Sequence, residues 1–167
     1  AQRVSNPQVT TVVAAPSAPP VGGNLLLVLL DDAGVDSVSA YGADAGAPPP
    51  PIDGLAADGV RFDNAWAPPR CAPTRAAGQT GRGPRRTGLG TNVSPPDGRN
   101  ELGREQLTLA ELAELSPWFD YQTALVGKWH LSTRSSPSGL LGPTAQGYDD
   151  FTGTSGIATT ATLSAGQ

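Results

Sequence analysis

Cys71 is the only cysteine of this 167-residue chain, and it stands in the stretch PRCAPTRAAGQTGR, Pro69 to Arg82. A thiol followed by Pro73 and Arg75 could act as a nucleophile, because a nearby arginine and the start of a helix both favour the thiolate. The alternative is a small buried apolar residue, which is the commoner role of a single cysteine. The residue types at this position leave both interpretations open.

Four further candidate residues follow two apolar runs. Asp31 and Asp32 come directly after NLLLVLL. Two adjacent carboxylates repel each other unless a cation or hydrogen-bond donors hold them, and their oxygens suit Ca²⁺ or Mg²⁺. The alternative is a helix cap or a solvated turn.

Lys128 and His130 are the only lysine and the only histidine. Two residues apart at a strand end, they would point the same way and could serve an anionic substrate. A surface lysine beside a hydrogen-bonded histidine is the alternative.

A few regular elements must position these candidates. The apolar runs Asn24 to Leu30 and Thr123 to Val126 each predict a strand that is buried on both faces. Thr108 to Leu115 predicts an amphipathic helix that packs on the sheet through its leucines and begins with a capping box of Thr108 and Glu111. Alternating strands and helices predict the α/β class, with a mostly parallel sheet flanked by helices. Because ligands bind beyond the carboxyl ends of such strands, we expect the acidic pair and the Lys-x-His pair to share one edge.

The positions of glycine and proline predict most of the remaining segments. Ile52 to Asp58 predicts a short helix, and Val60 to Phe62 predicts a short strand. Gly81 to Gly103 is predicted to be loop, and we interpret its arginines as a solvated cluster. Residues 1–23 are predicted to be a flexible leader, and residues 154–167 a low-complexity tail with little to bury.

Composition excludes several classes of function. The net charge of -4 offers no basic footprint for nucleic acid or for an anionic membrane. The longest apolar run, Leu25 to Leu30, is far shorter than the roughly 20 residues of a membrane-spanning helix. The glycines form neither a dinucleotide-binding fingerprint nor a phosphate-binding loop, so a nucleotide site has no support. We therefore expect neither nucleic acid nor membrane among the partners.

Several motifs together resemble the sulfatase family of the alkaline phosphatase superfamily. CAPTR followed by TGR resembles the signature Cys-x-Pro-Ser/Thr-Arg, and TALVGKWHL resembles the family's second signature. NLLLVLLDDAGVDSVSAYG looks like the first strand with its metal-binding Asp pair, and LGPTAQGYDDFTG resembles the segment that follows the second signature. The resemblance covers residues 24–153, in the family's order, and implies the N-terminal catalytic region of an alkaline phosphatase-like fold.

This resemblance implies a sulfuric ester hydrolase of the arylsulfatase type. Cys71 would be converted to formylglycine by the formylglycine-generating enzyme, and a hydroxyl of the hydrated aldehyde would attack the sulfur of a sulfate ester, releasing alcohol and then sulfate. Asp31, Asp32 and residue 71 would ligate Ca²⁺, or Mg²⁺. Arg75 would orient residue 71. Lys128 would hold the sulfate, and His130 would hydrogen-bond the diol or aid its deprotonation. The substrate would be a small sulfate ester or a sulfated glycan, and the family implies a periplasmic or secreted location.

The chain also departs from the family pattern. Gly78 and Gln79 replace two large apolar residues, and Asp120 replaces a glycine. The later part of a sulfatase supplies an Asp-Asn metal pair, another histidine and another lysine, so we expect this chain to be an incomplete portion that lacks substantial turnover alone. Two alternatives stay open: a non-catalytic remnant or binding module, and a phosphate or phosphonate ester hydrolase of the same superfamily.

Overall fold

The structure, a computed structural model, describes residues 23–42, 51–94, 100–156 and 160–164. The predicted leader, residues 1–23, lies outside the described residues except for Gly23. No helix in the described part of the chain combines the length and the apolar character needed to cross a membrane.

Four α-helices, four short 3₁₀ turns and three strands make up the described fold. The helices are α1 (Pro51–Asp58), α2 (Cys71–Thr80), α3 (Pro84–Thr87) and α4 (Leu109–Glu114). The 3₁₀ turns are Val35–Ser37, Ser39–Tyr41, Gly139–Leu141 and Thr144–Gln146. The strands are β1 (Ala124–Lys128), β2 (Asp150–Thr154) and β3 (Thr160–Ser164). The predicted α/β class is confirmed.

The three strands form one sheet in the order β1-β2-β3. β1 pairs in parallel with β2, so that Lys128 lies opposite Thr154, and β2 pairs antiparallel with β3. Beyond β1 the pairing continues, because the amides of Trp129 and His130 donate to the carbonyls of Thr154 and Ser155. The end of β1 is therefore held by backbone bonds over two residues past the strand.

The core lies between α2 and this sheet. Trp129, Leu131 and Phe151 are fully buried, and Ala72 and Ala76 of α2 pack against the same cluster. The Arg75 guanidinium of α2 donates to the carbonyl of Lys128, which links this helix to the end of β1.

Two predicted burial patterns are wrong. Asn24 to Leu30 forms no strand in the described structure, and Leu26 is 83% exposed. A strand exists only through hydrogen bonds to a neighbour, and none of β1, β2 or β3 pairs with this segment. The predicted strand at Thr123 to Val126 is observed as β1, but Val126 is 84% exposed, so the face of β1 to which it points is not covered by the rest of the described structure.

The capping box of α4 is confirmed, since the Thr108 hydroxyl accepts from the Glu111 amide and the Glu111 carboxylate accepts from the Thr108 amide. The expectation that its leucines pack on the sheet is wrong. Leu115 is 68% exposed and Leu112 is also exposed, whereas Ala110 is buried. The Thr108 hydroxyl donates to the carbonyl of Gln146, so the start of the helix is attached to that segment.

The shorter segments show further differences. α1 extends the predicted helix by Pro51, which needs no amide hydrogen in a first turn. Val60 to Phe62 is not a strand, and α3 interrupts the predicted loop from Gly81 to Gly103. β3 lies within the predicted tail, residues 154–167, where alternating threonines favour extended backbone although they offer little apolar surface.

Candidate active site

Cys71 is the first residue of α2. Arg70 precedes it in an extended conformation, and the amide of Ala72 donates to the side-chain oxygen of Asn92 over 3.2 Å. Pro73 fits this first turn because the first amides of a helix have no intrahelical partner. The sequence CAPTR therefore starts a helix that presents residue 71, half-buried, at its beginning.

Asp31 lies between two cationic side chains. Its Oδ2 accepts from Lys128 Nζ at 2.8 Å, and its Oδ1 is 3.2 Å from a terminal nitrogen of Arg75. Lys128 Nζ is also 3.4 Å from the Cys71 sulfur, and the Arg75 guanidinium donates to the Lys128 carbonyl at 2.6 Å. Residues from three separate segments thus meet, and the structure brings together four of the predicted site residues.

These contacts set the charges of the site. The hydrogen bond from Lys128 lowers the pKa of Asp31 from 3.8 to about 2, with Arg75 adding to the effect against a smaller opposing effect of burial. Burial lowers the pKa of Lys128, but its bonds to Asp31 and Cys71 outweigh burial and leave that pKa raised. At neutral pH the site therefore holds a carboxylate paired with two cations.

A hard cation could be held beside these residues. Carboxylate oxygens of Asp31 and Asp32 and the sulfur of Cys71 all lie within 4.8 Å of one another, at a cleft of about 250 Å³. Asp32 has a φ of 53°, in the left-handed region, which a non-glycine residue adopts rarely. The two carboxylates fit Ca²⁺ or Mg²⁺ in donor type; a thiol does not, and an oxygen at residue 71 would. Ca²⁺ takes about six to eight oxygens, more than these residues offer together.

His130 lies in a different environment from Lys128. Its side chain is buried, with the residue 1% exposed, and its Nε2 is 3.2 Å from the carbonyl oxygen of Val93. Strand alternation does not relate the two side chains, because β1 ends at Lys128 and His130 has a φ of 53°. Burial and the charge of Lys128 lower the pKa of His130. Among the described residues, none hydrogen-bonds to its Nδ1.

Three contacts near the site were missed by the sequence analysis. Asn92 and Val93 contact α2 and His130, but a backbone carbonyl partner has no signature in sequence. Gln79 accepts a 2.7 Å hydrogen bond from the Tyr148 hydroxyl, and the Tyr148 ring packs edge-on against Trp129. Burial raises the pKa of Tyr148. Gln79 itself was the signal available in the sequence, because it stands where the family pattern has a large apolar residue. A polar contact replaces the apolar packing expected there.

Comparison with known proteins shows the family to which this chain belongs. The sequence profile of the sulfatase family matches residues 23–165, and the chain belongs to this family. It is 38% identical over 140 residues to arylsulfatase A of Bos taurus, covering 83% of this chain and 26% of that protein.

Two solved structures are similar to the described fold. The PsFucS1 sulfatase from Pseudoalteromonas sp. has a TM-score of 0.64 at 34% identity, covering 78% of this chain and 25% of that chain. Ps i-CgsB in complex with k-i-k-neocarrahexaose has a TM-score of 0.63 at 31% identity, covering 76% of this chain and 27% of that chain. The predicted sulfatase-like fold is confirmed, and the chain spans about a quarter of the length of these relatives.

Proposed function

We propose that this chain supplies the first part of the active site of a sulfuric ester hydrolase, which converts a sulfate ester to an alcohol and sulfate. One observation supports the proposal above the others: contacts of 2.8 to 3.4 Å connect Asp31 to Lys128 and Arg75, and Lys128 to Cys71, and all four are positions of the family motifs. These residues come from segments separated by up to 97 positions, so the contacts depend on the fold and not on local sequence.

The proposal includes two groups that complete the chemistry. Residue 71, converted to formylglycine, would supply the nucleophilic oxygen, and Ca²⁺ or Mg²⁺ held by Asp31, Asp32 and residue 71 would supply positive charge next to the sulfate. The donor types fit, since the two carboxylates provide hard oxygens and a hydrated aldehyde at residue 71 would add one where the thiol does not.

The side chains around residue 71 have separate proposed roles. Lys128, at 3.4 Å from the position of the nucleophile, would bind a sulfate oxygen. Arg75, anchored on the Lys128 carbonyl, would keep residue 71 and the lysine at a fixed separation. His130, buried and with a lowered pKa, would be neutral and able to accept a hydrogen bond or a proton from the hydroxyl at residue 71.

We propose an oligosaccharide or a small molecule as the carrier of the sulfate ester. The similar structure of Ps i-CgsB holds k-i-k-neocarrahexaose, which supports an oligosaccharide for that protein and, by similarity, for this chain. The proposed cleft is open, so it can admit one unit of a longer molecule.

The decisive experiment measures the modification of residue 71. The chain is produced together with the formylglycine-generating enzyme, and the peptide that contains Cys71 is weighed by mass spectrometry. We expect the mass decrease of a thiol-to-aldehyde conversion, and Arg75→Ala and Pro73→Ala variants should reduce the converted fraction because the enzyme reads the motif. An unmodified thiol in the wild-type chain would contradict the proposal.

Calcium binding and turnover complete the test. Because the site offers fewer oxygens than Ca²⁺ takes, we expect weak binding in calorimetry, lost in Asp31→Asn, and hydrolysis of 4-nitrophenyl sulfate no faster than in Cys71→Ala. Robust Cys71-dependent turnover would show that the described residues suffice. Preference for 4-nitrophenyl phosphate over the sulfate would favour the phosphate ester alternative.

A further inference from the structure

Two consecutive residues between α3 and α4 contact both the nucleophile's helix and the histidine. The side-chain oxygen of Asn92 accepts from the Ala72 amide at 3.2 Å, directly after Cys71. The carbonyl of Val93 lies 3.2 Å from Nε2 of His130. Val93 is fully buried. Asn92 and Val93 are adjacent in the chain, so the backbone keeps their two contacts close together. The segment therefore connects the start of α2, where residue 71 lies, to His130.

The chemistry of the Val93 contact identifies which ring nitrogen carries the proton. A backbone carbonyl can only accept, so a hydrogen bond at 3.2 Å requires a proton on Nε2. A neutral imidazole holds one ring proton, and Nδ1 then carries a lone pair. In the part of the chain that the structure describes, this buried Nδ1 has no hydrogen-bond partner. Buried polar atoms of this kind usually have a partner, so this Nδ1 has an unused capacity to accept a hydrogen bond.

We propose that Asn92 and Val93 are positioning residues that hold His130 as the Nε2-H tautomer and leave Nδ1 as its acceptor. Asn92 holds the segment against the first turn of α2, and the Val93 carbonyl fixes the histidine ring. The use of Nδ1 toward a hydroxyl at residue 71 rests on the proposed function, whereas the tautomer and its dependence on Asn92 do not.

Nuclear magnetic resonance can test the tautomer because His130 is the only histidine. With ¹⁵N-labelled histidine and ¹³C-labelled valine at neutral pH, we expect a protonated Nε2, an unprotonated Nδ1, and a through-hydrogen-bond coupling from Nε2 to the Val93 carbonyl carbon. A protonated Nδ1 would overturn the proposal. The measurement needs no turnover, so a chain without sulfatase activity would contradict the proposed function and leave this inference standing.

Substitution of Asn92 tests the positioning role. In Asn92→Ala, loss of one hydrogen bond should speed exchange of the Nε2 proton with solvent by about fivefold. Asn92→Asp keeps an oxygen acceptor and should restore exchange to within about twofold of wild type. Thr108→Ala is the matched control, since it removes the capping box of α4 without touching Asn92 or His130.

The outcomes separate positioning from general stability. Faster exchange in Asn92→Ala together with unchanged exchange in Thr108→Ala supports the proposal. Equal acceleration in both variants would assign the effect to global opening and overturn it, as would unchanged exchange in Asn92→Ala. If Asn92→Ala does not fold, the comparison of wild type with Asn92→Asp still decides, because rapid exchange in the aspartate variant would contradict the role of the oxygen acceptor.

Discussion

Removal of the Asp31 charge should destabilise the chain at neutral pH, because Asp31→Asn leaves the cations of Lys128 and Arg75 close together without their carboxylate. A carboxyl group whose pKa falls from 3.8 to about 2 on folding stabilises the folded state by about 2.4 kcal/mol if it is fully shielded. The Asp31 side chain is 38% exposed, so solvent screening reduces the expected contribution to about 1 kcal/mol.

The sign of the pH dependence follows from the lowered pKa. The folded state binds this proton less readily than the unfolded state, so the contribution is fully present above about pH 4 and is lost as the pH falls toward 2. The difference in unfolding free energy between wild type and Asp31→Asn should therefore shrink over that range. Taking the difference between the two proteins cancels the titration of every other carboxyl group.

Urea denaturation followed by tryptophan fluorescence measures this difference, with a chelator present so that no divalent cation binds Asp31. Asp120→Asn is the matched control, because Asp120 is exposed and forms no ion pair within the described residues. We expect the control to match wild type within a few tenths of a kcal/mol. Equal stability of wild type and Asp31→Asn at pH 6, or a difference that does not shrink by pH 2.5, would refute the electrostatic reasoning.

Three further substitutions test the packing and the site. Gly153→Ala should lower the free energy of unfolding by about 1 to 3 kcal/mol in urea denaturation. A Cβ there would overlap the Gly127 carbonyl of β1 and lie 2.6 Å from its carbon. Wild-type stability in this variant would contradict the close strand contact. Gly78→Ala should instead stabilise α2 by about 0.5 to 1 kcal/mol in the same assay, since the added Cβ meets no atom within 4 Å. Lys128→Met should raise the Ca²⁺ affinity about fivefold in calorimetry, because it removes a cation that competes for Asp31; weaker binding would be evidence against this competition.

The convergence of the site could be predicted because its residues belong to family motifs that a single sequence contains. The family motifs located Asp31, Cys71, Arg75 and Lys128, but the expected reason for their meeting is only partly right, because Lys128 ends a strand whereas Asp31 does not. Most of the helix starts were also local, since the capping box at Thr108 needs only four residues of sequence. These features depend on residue type and spacing, which a single sequence contains.

The errors arose where structure depends on distant neighbours. Burial of Leu25 to Leu30 requires strands on both sides, and composition cannot say which strands pair with it. The leucines of α4 have helical spacing, yet Leu112 and Leu115 are exposed, because helical spacing does not say which side of a helix meets the rest of the fold. The Val93 carbonyl beside His130 is beyond prediction for the same reason, because every residue has a carbonyl and only the fold selects one.

The side-chain oxygens of Asp31 have two kinds of candidate partner, cationic side chains and a divalent cation. Competition between these partners explains the arrangement around Asp31. Both oxygens accept from cationic side chains, yet the carboxylate is also the leading candidate to ligate a divalent cation. Lys128 could give up this partner without leaving the site, because the backbone of β1 and the Arg75 bond to its carbonyl hold its main chain in place. The ammonium would then be available, next to residue 71, for an anion. The backbone of β1 and the Arg75 bond thus keep the lysine at the position where the proposed chemistry requires it.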